Sequence, residues 1–199
     1  MTQRIGIYGG TFDPVHYGHI NLAIQVKELH QLDEIWFCPV QISPHKLDTQ
    51  PTSFAHRHKM LGIALQGVPG CAITDVESKR PGPSFTIDTL TALKADHPDV
   101  QFYLIMGDDA IPGFFRWHKP EEIVRMVPII VGTRSLVPYD ITKLTGNEEI
   151  CDAIRKGITP TRLLDISSTE IRQRLRTGSY CGHLVPEKVI DYICANHIY

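Results

Sequence analysis

The chain has 199 residues, 42% of them hydrophobic, with 20 basic against 22 acidic side chains and a formal net charge of −2. This length and composition are typical of one globular domain, residues 1–199, with a full hydrophobic core. The balanced charge argues against a nucleic-acid partner, which requires clustered positive charge. The five cysteines include no CxxC pair, which disfavours a disulfide framework or zinc knuckle and predicts a cytoplasmic protein. No signal peptide or bilayer-spanning run is evident, so no membrane partner is expected.

Apolar runs alternate with helical patterns along the whole chain. This alternation predicts an α/β fold, a Rossmann-like doubly wound parallel sheet with helices on both faces and a small C-terminal helical portion. Ligands of such sheets bind beyond the carboxyl ends of the strands, so the loops after strands matter most. The predicted strands are Arg4–Tyr8, Ile35–Val40, Cys71–Val76, Val100–Met106, Pro128–Val131 and Leu163–Ile166. The predicted helices are His19–Gln31, Ser53–Leu65, Ser84–Ala95, Glu121–Met126, Glu148–Lys156, Ser168–Thr177 and Pro186–His197. Ser53 and Ser84 are the predicted caps of the second and third of these helices.

The loop after the first predicted strand contains paired glycines and two histidines. Glycine lets the backbone approach a ligand closely, and the free N–H groups at a helix start favour phosphate. His16 and His19 are three residues apart, so a first helical turn can place both imidazoles on one side, toward a triphosphate. Taken alone, such a pair is more often at the surface or in a cap, and zinc is disfavoured because no third ligand lies nearby. The loop reads Gly9-Gly10-Thr11-Phe12-Asp13-Pro14-Val15-His16-Tyr17-Gly18-His19.

A second polar cluster lies at the start of the penultimate predicted helix. Ser167, Ser168 and Thr169 supply three hydroxyls, with Ser168 the predicted N-cap, and Arg172 follows about one turn later. Hydroxyls, free N–H groups and a guanidinium together are suited to binding an anion. Alone, this pattern is more typical of a plainly capped helix.

Together the two segments resemble the HxGH nucleotidyltransferase superfamily. His16-Tyr17-Gly18-His19 is similar to its first motif, and Ile166–Arg172 to its late motif. Three further segments narrow the resemblance to bacterial nicotinate-nucleotide adenylyltransferases. They are Pro44-His45-Lys46, similar to that family's lysine loop; Arg80–Leu90, similar to its RxGxSYTxDTL segment; and Met106–Ala110 followed by Trp117, similar to its GxD…W segment. The resemblance spans nearly the whole chain in the expected order.

The resemblance implies an enzyme that transfers AMP from ATP to nicotinate mononucleotide by direct in-line attack, without a covalent intermediate. The products are deamido-NAD and pyrophosphate, in a step of NAD biosynthesis, and Mg²⁺ is expected with ATP. The implied catalytic residues are His16, His19, Lys46 and Arg172. The implied ATP-binding residues are Gly9, Gly10, Thr11, Phe12, His16, His19, Ser168, Thr169 and Arg172. The implied mononucleotide-binding residues are Lys46, Thr86, Asp109, Trp117 and Arg134, with backbone N–H groups near Thr86 and Trp117 for the nicotinate carboxylate. No protein metal ligands are expected, and a homo-oligomer is left open.

Competing interpretations remain at this point. The rivals are a phosphopantetheine adenylyltransferase, which would lack the Ser84-Phe85-Thr86 and Trp117 segments, a nicotinamide-mononucleotide adenylyltransferase, and a non-catalytic nucleotide sensor. Singly, Lys46 is also consistent with a solvated loop lysine, Trp117 with a core tryptophan and Asp109 with a helix cap. The sequence departs from the family pattern at Gln41, Phe85 and Asp108, where asparagine, tyrosine and a small residue are usual.

Overall fold

The computed structural model describes residues 2–42, 51–134 and 139–199. Strands and helices alternate through these ranges, and two short 3₁₀ turns, Asp108–Ala110 and Ile141–Lys143, add to them. The strands are β1 (Gln3–Gly10), β2 (Glu34–Pro39), β3 (Cys71–Ile73), β4 (Val100–Gly107), β5 (Ile129–Gly132) and β6 (Ile158–Thr159). The helices are α1 (Tyr17–Leu29), α2 (Phe54–Ala64), α3 (Thr86–Asp96), α4 (Ile111–Phe114), α5 (Pro120–Met126), α6 (Glu148–Gly157), α7 (Ser168–Arg176) and α8 (Glu187–Ala195).

The six strands form one sheet in the order β3-β2-β1-β4-β5-β6. Every neighbouring pair is parallel, so the predicted doubly wound parallel sheet is confirmed. The chain progresses outward from β1 in both directions, which makes the gap between β1 and β4 the topological switch point. In open α/β sheets the ligand crevice opens at that point, outside the carboxyl ends of the strands.

Both faces of the sheet are buried. Successive side chains of a strand point to opposite faces, and each face carries its own hydrophobic cluster. In β4, Ile105 belongs to one hydrophobic cluster, while Leu104 and Met106 belong to the other. Helices α1, α2 and α8 contribute to the first cluster, and α3, α5 and α6 contribute to the second. Helices therefore cover both faces, as predicted. Within the described ranges, no helix combines the length and apolar character that crossing a membrane requires.

The predicted strand Leu163–Ile166 is wrong, and the sheet instead ends with Ile158–Thr159. The cause is a competing set of partners for the main chain. Asn21 Nδ2 donates to the Arg162 carbonyl at 2.8 Å, and the Arg162 N–H donates to Gln25 Oε1 at 2.6 Å. Side chains of α1 thus satisfy the main chain of Arg162, directly before the predicted strand, in place of a neighbouring strand.

Two predicted helix caps also differ from the structure. Ser84 does not cap α3; its hydroxyl accepts the N–H of Gln41 at 3.3 Å and so joins the loop after β2 to the start of α3. In α7 the N-cap is Ser167, whose hydroxyl accepts a first-turn N–H at 3.1 Å. Ser168 is therefore the first helical residue, and its own hydroxyl is available for another contact.

Candidate active site

A cavity of about 890 Å³ opens beyond the carboxyl ends of β1 and β4. It lies at the switch point of the sheet, where the topology predicts a ligand site. His16 is fully buried behind its wall, and Lys46 lies outside the described residues. The remaining predicted site residues all line the cavity: Gly9, Gly10, Thr11, Phe12, His19, Thr86, Asp109, Trp117, Arg134, Ser168, Thr169 and Arg172.

The glycine and histidine loop and the start of α7 meet directly in this cavity. Ser168 Oγ donates to the Pro14 carbonyl at 2.9 Å, and Arg172 Nη1 donates to the Asp13 carbonyl at 2.7 Å. Arg172 Nη2 also bonds to Thr169 Oγ1 at 3.1 Å. Two segments about 150 residues apart therefore build one wall, which presents hydroxyls, a guanidinium and helix N–H groups to the same space.

The rings of His16 and His19 are in contact at the start of α1, with their planes inclined by 30°. Their ring centroids are 3.7 Å apart, and the His16 main-chain N–H donates to His19 Nδ1 at 3.3 Å. Because Nδ1 accepts this bond, the proton of a neutral His19 ring lies on Nε2. His19 is thereby prepared to donate a hydrogen bond from Nε2 into the cavity that it lines.

The surroundings of His16 and His19 keep both rings uncharged. Burial, reinforced by the positive charge of Arg134, lowers the pKa of His16 from 6.5 to about 3. Burial lowers the pKa of His19 well below its usual value, and His16 and Arg134 add to that effect. Both rings are therefore neutral near pH 7, and they can donate hydrogen bonds without contributing a full positive charge.

Gly18 and Gly10 are required by the close packing around these rings. A Cβ on Gly18 would lie 3.0 Å from His16 Nδ1 and 3.2 Å from the Leu164 carbonyl. A Cβ on Gly10 would lie 2.8 Å from the ring of Phe12. That ring is buried and lies edge-on to His19, with centroids 5.0 Å apart. The glycines therefore allow the aromatic groups to pack beneath the loop.

Phe12 adopts a backbone conformation that is unfavourable for a residue with a side chain. Its φ is 51°, in the left-handed region that costs an L-residue about 1–2 kcal/mol. Such conformations cluster at functional sites, where the surrounding packing enforces them. Here the buried ring, in edge contact with Tyr8 at 5.7 Å, provides that packing.

Aromatic side chains border the other end of the cavity. Trp117 is half-buried, and its ring centroid lies 4.9 Å from that of Phe114. The main-chain N–H of Trp117 donates to the Phe114 carbonyl at 3.0 Å, so it is not free to bind a ligand carboxylate. Thr86, the first residue of α3, also lines the cavity at this end, and the main-chain N–H at such a position has no acceptor within its own helix. Phe85, at the N-cap position, packs its ring 4.7 Å from that of His118.

Asp108 explains how Arg134 is held at the cavity. Asp108 is 5% exposed, and its Oδ1 accepts the Arg134 N–H at 2.8 Å. The Arg134 guanidinium in turn lies 3.8 Å from Asp109 Oδ2. A Cβ on Gly107 would overlap both Asp109 and Arg134. Asp108, where the family usually has a small residue, therefore positions Arg134 by binding the main-chain N–H of that arginine.

The sequence patterns missed several residues of the site. The Tyr199 hydroxyl donates to Asp13 Oδ1 at 2.6 Å, and the Thr52 N–H donates to Asp13 Oδ2 at 3.3 Å. Arg176, one turn after Arg172, also lines the cavity. No local pattern indicates the bond between Tyr199 and Asp13, which are 186 residues apart. Among the described residues, no group of three or more His, Cys, Asp or Glu side chains is arranged to hold a metal ion.

Comparison with known proteins agrees with this architecture. Residues 7–174 match a family model described as cytidylyltransferase-like. A probable nicotinate-nucleotide adenylyltransferase of Thermomicrobium roseum is 36% identical over 197 residues, covering 99% of this chain and 92% of the relative. The nicotinate-nucleotide adenylyltransferase of Bacillus subtilis strain 168 is 36% identical over 201 residues, covering 99% and 98%.

Solved structures give the same result. The Plasmodium falciparum nicotinic acid mononucleotide adenylyltransferase complexed with NaAD superposes with a TM-score of 0.78 at 26% identity, covering 99% of this chain and 97% of that one. The same enzyme complexed with APC gives a TM-score of 0.76 at 25% identity, with equal coverage. The full-length match in sequence and the agreement in fold lead to one conclusion: the chain belongs to the nicotinate-nucleotide adenylyltransferase family of cytidylyltransferase-like proteins.

Proposed function

We propose that the protein transfers AMP from ATP to nicotinate mononucleotide, giving deamido-NAD and pyrophosphate. A phosphate oxygen of the mononucleotide attacks the α-phosphorus of ATP. The bond from that phosphorus to the oxygen bridging the α- and β-phosphates breaks, and pyrophosphate leaves with the electron pair. The observation that carries the proposal is the direct contact between the Asp13–His19 loop and the start of α7, through Ser168 and Arg172.

The ATP phosphates bind between those two segments. Gly9 and Gly10 let the loop approach the nucleotide, and His19 Nε2–H donates to a phosphate oxygen as charge develops. Thr169, Arg172 and the main-chain N–H of Ser168 at the start of α7 hold the β- and γ-phosphates that become pyrophosphate, while the Ser168 hydroxyl holds the Pro14 carbonyl. His16 supports His19 from behind. Donors placed in this way before reaction stabilise an in-line transition state without reorganising.

The nucleophile needs no general base. A phosphate monoester has a second pKa of about 6, so the mononucleotide phosphate is mostly dianionic at pH 7. The neutral state of both histidines suits this chemistry, because His19 is required to donate a hydrogen bond and neither ring is required to remove a proton. Alignment and charge neutralisation are then the main contributions of the protein.

The mononucleotide occupies the aromatic end of the cavity. Trp117 stacks on the pyridine ring, and the N–H groups that begin α3 at Thr86 bind the nicotinate carboxylate. Asp109 binds ribose hydroxyls, and Arg134 lies beside it as a cation for the phosphate. Lys46 also meets that phosphate in this proposal; it lies outside the described residues.

ATP enters as its complex with a divalent cation, which we take to be Mg²⁺. Mg²⁺ usually retains several waters and binds chiefly through substrate phosphates, so the protein need not provide a cage of ligands. Asp13 is committed to Tyr199 and Thr52, which makes it a structural residue of the loop. All five cysteines are free, which supports a cytoplasmic location for the reaction.

The test is pyrophosphate release from ATP and Mg²⁺ with each candidate acceptor in turn. Nicotinate mononucleotide is expected to be preferred over its amide, and phosphopantetheine is expected to be inert. Equal rates with acid and amide would refute the acid preference, release with phosphopantetheine alone would refute the assignment, and no release with any acceptor would favour a sensor.

A matched pair of variants tests the role of His19. His19→Asn retains an acceptor for the His16 N–H but loses the Nε2 donor, whereas His19→Gln keeps a donor near the Nε2 position. We expect His19→Asn to lower kcat by about 10²–10³ and His19→Gln to lower it less. Equal losses in the two variants would contradict a donor role for Nε2.

A further inference from the structure

Arg57 is a buried cation beneath the proposed nucleotide site. It lies on α2 in the same stripe as Met60, Leu61 and Ala64, at the positions where an amphipathic helix normally carries apolar residues. Only 1% of its surface is exposed, and it is among the largest fully buried side chains described. A fully buried arginine is rare unless its donors are satisfied.

The guanidinium of Arg57 makes three short hydrogen bonds, all to main-chain carbonyls. Nε donates to Thr52 at 2.8 Å, Nη1 to Thr11 at 2.8 Å and Nη2 to Val40 at 2.7 Å. All three acceptor residues line the cavity. One planar group therefore joins the glycine loop after β1, the chain leaving β2 and the chain entering α2.

Further hydrogen bonds connect this group to the cavity wall that the loop after β1 and the start of α7 form together. The Thr52 N–H donates to Asp13 Oδ2 at 3.3 Å, and the Asp13 carbonyl accepts Arg172 Nη1 at 2.7 Å. Arg57 and Arg172 thus lie at the two ends of one connected set of hydrogen bonds.

The burial of Arg57 works against the stability of its own charge. Within the described part of the chain, no carboxylate forms an ion pair with it. Burial lowers the pKa of Arg57, and the more distant negative charge of Asp13 opposes this shift. An apolar residue at this position would leave the three main-chain carbonyls without the donors that the guanidinium supplies. The arginine therefore fixes the relative positions of three chain segments in addition to filling the core.

We propose that Arg57 is a positioning residue. Through the Thr11 carbonyl it holds the loop after β1, which binds the ATP phosphates in the proposed function. Through Thr52 it aligns Asp13 and hence Arg172. This inference rests on the proposed function for its catalytic readout. Lysine cannot replace the group, because one ammonium lacks the planar fork that reaches three separated carbonyls. Misplacement of reacting groups by about 1 Å costs about 100-fold in rate, and we expect losses of that order.

The experiment compares Arg57→Lys and Arg57→Ala with Lys59→Ala, an exposed position on the same helix. Steady-state kinetics, urea unfolding and the affinity for a non-hydrolysable ATP analogue are measured for each variant, at temperatures where the protein is folded. Both Arg57 variants are expected to lose about 100-fold in kcat/KM for ATP, while Lys59→Ala stays near the parent value. Low millimolar guanidinium chloride is expected to restore part of the activity and of the analogue affinity of Arg57→Ala, but not of the other variants. NaCl at equal ionic strength is expected to restore neither.

Each outcome bears on Arg57 separately from the function. Arg57→Lys with kcat/KM for ATP within about threefold of the parent would overturn the positioning role. Loss of activity in Arg57→Ala that follows the unfolded fraction, without guanidinium rescue, would also overturn it in favour of a purely structural role. If Arg57→Ala does not fold, Arg57→Lys decides. If the parent protein fails to use nicotinate mononucleotide, the proposed function fails, and ATP-analogue affinity still tests Arg57.

Discussion

Acid should destabilise this protein through His16, and replacing that ring should remove part of the effect. In the folded protein burial lowers the pKa of His16 to about 3, against 6.5 for an exposed ring. Between these two values the unfolded chain binds a proton at His16 that the folded protein does not. Stability therefore falls as pH decreases through this window, since the unfolded state is favoured by proton uptake.

The size of the effect follows from the two pKa values. At pH 5 the unfolded ring is almost fully protonated, and the folded ring is almost fully neutral. Protonation then favours the unfolded state by about 1.4 kcal/mol for each pH unit below 6.5, or about 2 kcal/mol at pH 5. At pH 7 the same linkage contributes only about 0.2 kcal/mol. His19 adds to the acid loss in the same direction, because its pKa is also lowered.

The measurement is urea unfolding at a series of pH values from 7 to 4.5, followed by tryptophan fluorescence and circular dichroism. His16→Gln keeps a polar side chain of comparable length but cannot titrate. Relative to its own value at pH 7, the parent is expected to lose about 2 kcal/mol more than His16→Gln by pH 5. His183→Gln, at an exposed position, serves as the control and should follow the parent. Equal acid loss in the parent and in His16→Gln would refute the buried, neutral state of this ring.

Three other substitutions test separate parts of the site. Asp108→Ala removes the acceptor of the Arg134 N–H and should raise the KM for nicotinate mononucleotide about tenfold, the value of one charge-assisted hydrogen bond; an unchanged KM would separate Asp108 from Arg134. Tyr199→Phe removes the 2.6 Å bond to Asp13 and should weaken ATP binding about tenfold, whereas a change confined to the mononucleotide would contradict this. Trp117→Ala should raise the KM for the mononucleotide more than that for ATP, and the reverse would place the stacking ring elsewhere.

Most of the fold follows from local patterns in the sequence. The buried strands and the helical stripes alternate clearly, because period-2 and period-3.6 burial are dictated by local geometry. The last strand of the sheet was not predicted correctly from these patterns. Leu163–Ile166 has the composition of a strand, yet the Arg162 main chain beside it pairs with side chains of α1. That choice depends on a neighbour about 140 residues away, which no local window contains.

The candidate site likewise contains residues that local motifs predict and residues that only tertiary folding brings together. Residues inside ordered motifs, such as His19 and Trp117, were predicted and line the cavity. Tyr199 was missed, because only tertiary folding brings it to the loop after β1. Arg57 left a visible signal, a charged residue in an apolar helical stripe, but the stripe alone does not identify its acceptors. Long-range hydrogen bonds to main-chain carbonyls carry no sequence signature at the acceptor.

The neutral histidines suit a reaction between two anionic substrates. A triphosphate and a phosphate monoester that meet in one cavity repel each other, so the protein must offset negative charge without supplying an acid that would protonate the nucleophile. Arg134 and Arg172 line the cavity and supply positive charge there. Burial, reinforced by the charge of Arg134, keeps the rings of His16 and His19 uncharged. In the proposed reaction the dianionic phosphate therefore stays dianionic, and His19 acts on the transition state as a hydrogen-bond donor alone.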